Sequence, residues 1–334
     1  MTAWEAGDVE SPPVDLISRV LRFPESFFMR DDPPEVAPES VSFRALSSLP
    51  AWQVARVLAA SALAVELSLW IDDRYNTPAV DLPDLSESQD HGALTLPDLR
   101  RPAERIIPAV AAESLRSIWE LHQKPVRKLL ALLEKKGLRI FSLPVADRKV
   151  DAFSFWREER PFILLNTGKS AERIRFDLAH ELAHILLHRG ISTQRSRAHE
   201  QQAQDFAASF LMPADALFSQ VIGSPTLDDV FTLKRFWRVS AVAMVQRLWA
   251  LSIISEWHYR TWMIELSQRG FRSSEPDGIH PERSELLTQL FQLTREDGVS
   301  MRRIAQDLSI PEGELNGMVF GLALASAPGR TTYM

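Results

Sequence analysis

Arg175-Phe176-Asp177-Leu178-Ala179-His180-Glu181-Leu182-Ala183-His184-Ile185-Leu186-Leu187 is the stretch on which the fold turns. Ile174, Leu178, Leu182 and Ile185 recur at helical spacing on one face, while His180 and His184 occupy another. Ser170 stands where an N-cap belongs and Gly190 where a helix stops. A helix turns about 100° per residue, so the two imidazoles stack on one side and can reach a single ion at roughly 2.0–2.1 Å. Glu181 lies off that stripe, where it can address a water held by the ion without ligating the ion itself. The pattern points to metal-dependent hydrolysis centred on one helix.

A catalytic zinc takes three protein ligands and leaves a fourth position open. The HExxHxxGxxH arrangement is excluded, because Leu187 occupies its glycine position and Gly190 its third histidine. Glu200 is the expected third ligand. Residues 198–212 repeat apolar side chains at Ala203, Phe206, Ala207, Phe210 and Leu211, which predicts a second helix with Glu200 near its start, aimed across at the first. Gln204, one turn on, is expected to bond a ligand histidine and fix its tautomer. His188 continues the histidine stripe but lies roughly 12 Å beyond His180, and is expected to cap the helix C-terminus. His199, beside Glu200, is a rival ligand or a substrate contact, and with His258 and Tyr259 a candidate for substrate contact or oxyanion stabilisation.

Four segments carry a further signal: Val150-Asp151-Ala152-Phe153-Ser154, Arg160-Pro161-Phe162-Ile163-Leu164-Leu165-Asn166, residues 173–184 around the paired histidines, and Phe206-Ala207-Ala208-Ser209-Phe210-Leu211-Met212-Pro213. Together they resemble the ImmA/IrrE family of metallo-endopeptidases. The resemblance maps the family's His, Glu, His and the Glu of its ExxA(N/D) element onto His180, Glu181, His184 and Glu200, with Gln204 in the Asn/Asp position. It implies a zinc cofactor and, as substrate, a helix-turn-helix repressor or antitoxin cut to relieve repression, a role tied to stress response and toxin–antitoxin regulation. Residues 41–49 and Gly270-Phe271-Arg272-Ser273-Ser274-Glu275-Pro276 are similar to the subgroup of XRE-type regulators that carry a metallopeptidase domain. In that subgroup a DNA-binding module commonly comes first. Residues 14–21 resemble only its last helix, so direct DNA binding is not expected. The competing reading is a regulatory protein, non-proteolytic, whose bound metal organises a surface for a transcription factor or DNA.

Composition sets outer bounds. With 45% apolar and 25% charged residues over 334 positions, the chain has an ordinary globular balance and room for two or three domains. Its net charge of −6 lacks the basic excess of nucleic-acid binders. The absence of cysteine excludes disulfides, Cys-based zinc fingers and thiol catalysis. No signal segment is evident, and the apolar run over 55–69 is broken by Arg56 and Glu66, so a core helix, no membrane association and a cytoplasmic location are expected.

The expected fold is α+β and mainly helical: a small three-stranded sheet packed on a zincin-like HExxH helix, followed by a helical C-terminal domain with helix-turn-helix-like segments. Residues 1–102 read as a helical region with a loose acidic tail and a Pro-rich loop, 103–222 as the metallopeptidase domain and 223–334 as the helical domain. Helices are expected over 51–71, 103–121 and 125–136, the last ended by Gly137, and strands over 138–143, 150–155 and 162–166. One of the last two strands is expected to offer an edge to an extended peptide. Of the helix-turn-helix-like stretches, 227–251 carries Lys234, Arg235, Arg238 and Arg247 and is the better candidate for nucleic-acid or partner contact. The segment 311–324 holds two acids and no base, which suits packing or dimerisation and makes a homo-oligomer an expected assembly.

Overall fold

A computed structural model describes residues 13–36, 50–85, 106–143, 151–189, 197–271 and 275–323. The segments 41–49 and 272–274, the tail before Pro13, the Pro-rich loop past residue 85, Val150 and the Gly190 stop lie outside the described residues.

Three strands form the sheet in the order β1-β3-β2, with β1 Arg139–Ser142, β2 Ala152–Arg157 and β3 Arg160–Leu165. β2 and β3 make an antiparallel hairpin from Ala152↔Leu165 to Arg157↔Arg160, and β1 runs parallel to β3 with Arg139 opposite Phe162. Phe162, Ile163, Leu164 and Leu165 are all buried, the continuous apolar run of a central strand covered on both faces. The expectation that 162–166 could serve as an edge is therefore corrected: β3 has both neighbours, and β2 is an edge strand among the described residues.

The helices preceding β1 are α1 Val14–Leu21, α2 Glu25–Met29, α3 Ala51–Arg74, α4 Ile106–Ile118 and α5 Leu129–Lys135. By length and composition α3 could cross a membrane, yet Val57, Ala64, Leu67 and Ile71 are buried in the protein core. It is tied down by Arg30 to Glu66, by Arg139 to Ser68 and Asp72, and by the Trp70 indole to Asp307. Helix α5 begins at Leu129 rather than at Pro125. Lys128 before it stands outside the helical region at φ −127°, ψ 77°, and the Val126 carbonyl accepts a hydrogen bond from Arg175. Gly137 ends that helix at φ +87°, where a Cβ would stand 2.5 Å from the Ala79 carbonyl oxygen, so only glycine fits.

Helix α6 spans Ala171–Leu187, with the Ser170 side chain accepting from the Arg173 amide. It lies on β2 and β3 through Leu178, Leu182 and Ile185 and pairs closely with α7, Arg197–Leu211. Helix α7 buries Ala203, Phe206, Ala207 and Phe210 against α6 and α4, with Trp119 edge-on to Phe210. Complete burial of a side chain such as Phe206 contributes about 1.5–3 kcal/mol. These two helices are the frame of the site.

The remaining helices are α8 Ala214–Gln220, α9 Leu227–Trp237, α10 Ala241–Ala250, α11 Glu256–Gln268, α12 Glu285–Glu296, α13 Met301–Asp307 and α14 Glu312–Val319. Helix–turn–helix geometry forms at α9–α10, where Arg238 takes φ 59°, and at α13–α14, where Ser309 takes φ 53°. Two of the four basic residues of the first pair face inward. Lys234 is buried on Glu275 at 2.8 Å, and buried Arg247 donates from Nε to the Met212 carbonyl. Those two are structural cations, not the nucleic-acid contacts their position in sequence suggests. Helix α14 buries Leu315, Met318 and Val319 and packs against β1.

Candidate metal centre

Helix α6 presents His180 and His184 on successive turns, with their Nε2 atoms 3.1 Å apart. Glu200 meets them from the first turn of α7: Oε2 is 3.5 Å from His180 Nε2 and Oε1 is 3.5 Å from His184 Nε2. Four ligands at tetrahedral corners, each about 2.0–2.1 Å from an ion, are separated by roughly 3.3–3.4 Å. The Nε2 separation is close to that edge, and one donor atom from each of the three residues lies within 4.8 Å of the others, so two imidazoles and a carboxylate can converge on one divalent cation with a corner left over.

Glu181 is buried and lies on the flank of α6 that faces β2, where its Oε2 accepts a 2.7 Å hydrogen bond from the Ser154 hydroxyl. The helix thus carries the two imidazoles on one stripe and, about 100° around, a carboxylate fixed by the edge strand. Burial pushes the Asp177 carboxyl up, against the pull of Arg173 and Lys169. Arg173 Nε pairs with Asp177 at 3.0 Å.

His188 is the C-cap residue of α6, as expected. Its backbone N–H does close the helix on the His184 carbonyl, but its ring is buried, with Nδ1 at 2.8 Å from His184 Nδ1 and Nε2 at 2.9 Å from Gln202 Oε1. This supplies the orienting contact expected of Gln204. The expectation for Gln204 is corrected, because that side chain is exposed and lines a cleft instead. The reason is directional: His184 Nδ1 points along its own helix toward the next turn, where His188 already stands. Sequence spacing held the clue, since His188 extends the stripe, whereas Ser154 and Gln202 sit on other elements and carry no local signal.

The three other candidates separate. His199 packs its ring on His188, with centroids 4.7 Å apart. His258 bonds Ser255 Oγ at 3.0 Å and packs between Trp257 and Trp262. Tyr259 stacks on Trp249 at 4.6 Å and forms one wall of the cleft that also contains Phe176 and Gln204.

A helix-borne histidine pair, a convergent carboxylate and a flanking buried glutamate define the metallopeptidase class. Residues 133–249 match the family model described as the IrrE N-terminal-like domain of the M78 peptidases. That match supports membership of the ImmA/IrrE family for this segment and suggests a function of the metallopeptidase type. No curated protein matches the chain. The matched segment runs from α5 through α10, so α11 and its Tyr259 lie beyond it.

Proposed function

We propose that the protein is a zinc-dependent endopeptidase of the cytoplasm that hydrolyses one peptide bond in a helix-turn-helix repressor or antitoxin. The observation that supports it most is the convergence of His180, His184 and Glu200 beside Glu181. The substrate class rests on the family resemblance. His180, His184 and Glu200 would hold the zinc, which would supply Lewis acidity toward the peptide carbonyl and lower the pKa of water toward neutrality.

The chain's own groups do the rest. Glu181, held by Ser154, takes the proton of the attacking water and returns it to the leaving amine nitrogen. A purely structural site has no use for that carboxylate, which favours hydrolysis over the non-proteolytic reading. As an edge strand among the described residues, β2 can offer main-chain amides and carbonyls to an extended peptide. Tyr259, in the neighbouring cleft, is the better placed of the phenol and imidazole candidates to meet substrate, since His258 is turned to Ser255.

The test is Glu181→Gln, incubated with repressors encoded beside the gene, with and without chelator. Cleavage should vanish while stoichiometric zinc remains bound. Normal cleavage by that variant rules out the water-activating role.

A further inference from the structure

The two flanks of the histidine stripe differ. At about 100° per residue, Glu181 lies roughly 100° to one side of His180, while Phe176 lies roughly 40° to the other. On the Phe176 side a cleft of about 280 Å³ runs between α6, α7, α10 and α11. Gln204 on its rim is one helical turn past Glu200, and Phe176 is one turn before His180, so the cleft begins about 5–6 Å from the ligands on both helices.

Its walls are chemically specific. Ala208 and Ala243 leave the space open, and Phe176 with the stacked Trp249–Tyr259 pair gives it flat apolar sides. The charges there are already engaged: Arg247 Nε donates to the Met212 carbonyl, and Asp205 Oδ1 accepts from Gln201. A volume near 280 Å³ is below that of typical drug-sized sites and suits one side chain rather than an extended ligand.

We propose that this cleft is the side-chain specificity pocket of the enzyme, receiving one large apolar residue, aromatic or Leu/Met, adjacent to the scissile bond. The assignment rests on the peptidase reading for its place beside the reacting carbonyl. Most of the lining falls within the family-matched residues, while Tyr259 comes from α11 beyond them. Gln204 sits at the pocket mouth, where it can bond the main chain of the residue being held.

Two measurements on the full zinc-loaded chain test it. In the first, a proteome-derived peptide mixture is digested and the cut sites are read by mass spectrometry. One position next to the cut should favour Phe, Tyr, Trp, Leu or Met over Ala by on the order of tenfold or more, and Ala243→Phe or Ala208→Leu should abolish that preference. The second needs no catalysis. With 5-fluorotryptophan incorporated and the Trp249 resonance assigned through Trp249→Phe, N-acetyl-phenylalaninamide should shift that resonance, and N-acetyl-alaninamide should not. Filling the pocket should remove the shift. An unmoved Trp249 resonance, or cleavage without apolar preference, overturns the pocket. A shift without any cleavage upholds the pocket and sinks the peptidase reading instead.

Discussion

His188→Phe is the sharpest perturbation of the metal centre that leaves all three ligands in place. For His184 Nε2 to face an ion with its lone pair, its proton must sit on Nδ1, which then donates to His188 Nδ1 at 2.8 Å. His188 must in turn carry its proton on Nε2, donating to Gln202 Oε1 at 2.9 Å. Every donor in this neutral chain points the same way. Phenylalanine preserves most of the ring's bulk but accepts nothing, leaving the buried His184 N–H without that acceptor at a cost of about 1–3 kcal/mol. Loss of an orienting partner typically weakens metal affinity about 10–100-fold, or roughly 1.4–2.7 kcal/mol, so two independent routes agree. Competition against a chromophoric chelator at fixed neutral pH measures it, with the melting temperature of the metal-free protein as the folding control. Unchanged zinc affinity in a folded His188→Phe protein would refute the relay and the tautomers drawn from it.

Two further outcomes are expected of the packing. Arg175 is buried, pairs with Glu282 and donates to the Val126 and Arg238 carbonyls, so Arg175→Met should destabilise the fold by about 3–5 kcal/mol through the uncompensated Glu282. Urea midpoints check this, and Arg175→Met/Glu282→Gln should recover part of the loss; no recovery argues against the charge being the cause. Burial pushes Glu134 up to about 7, despite donors from Ser284 and the first amides of α12. Because its folded value lies above the unfolded 4.5, the protonated form is favoured in the fold: this contribution is complete below about 4.5 and is lost as pH rises through 7. The stability difference between wild type and Glu134→Gln should therefore change by on the order of 3 kcal/mol between those limits, in favour of the variant at high pH. A flat difference across that range contradicts it.

What could be read from sequence follows the range over which each signal acts. The α6 helix, its Ser170 cap and the alignment of His180 with His184 depend on neighbours within one or two turns, and they emerge where spacing puts them. Glu200 required a second helix, whose apolar repeat from Ala203 to Leu211 was strong enough to orient it. Strand order was beyond reach, because β1 pairs with β3 across the intervening β2 and no local pattern encodes that choice. Lys234 looked like a surface base until Glu275, forty-one positions downstream, folded back to neutralise it. Gln204 failed as an orienter for the same reason: its competitor, His188, wins by geometry along a different helix.

Helix α3 carries a consequence for biosynthesis. Its indole partner Asp307 and the Leu308 carbonyl that holds Arg30 are made long after Arg74 leaves the ribosome. At about 5–20 residues per second, the interval is roughly ten to fifty seconds. Throughout it the nascent chain displays a greasy segment of bilayer-crossing dimensions with its final shield still unsynthesised. Slowing translation between these two regions should therefore raise the demand for chaperones, or misdirect the polypeptide to a translocon, without altering a single amino acid.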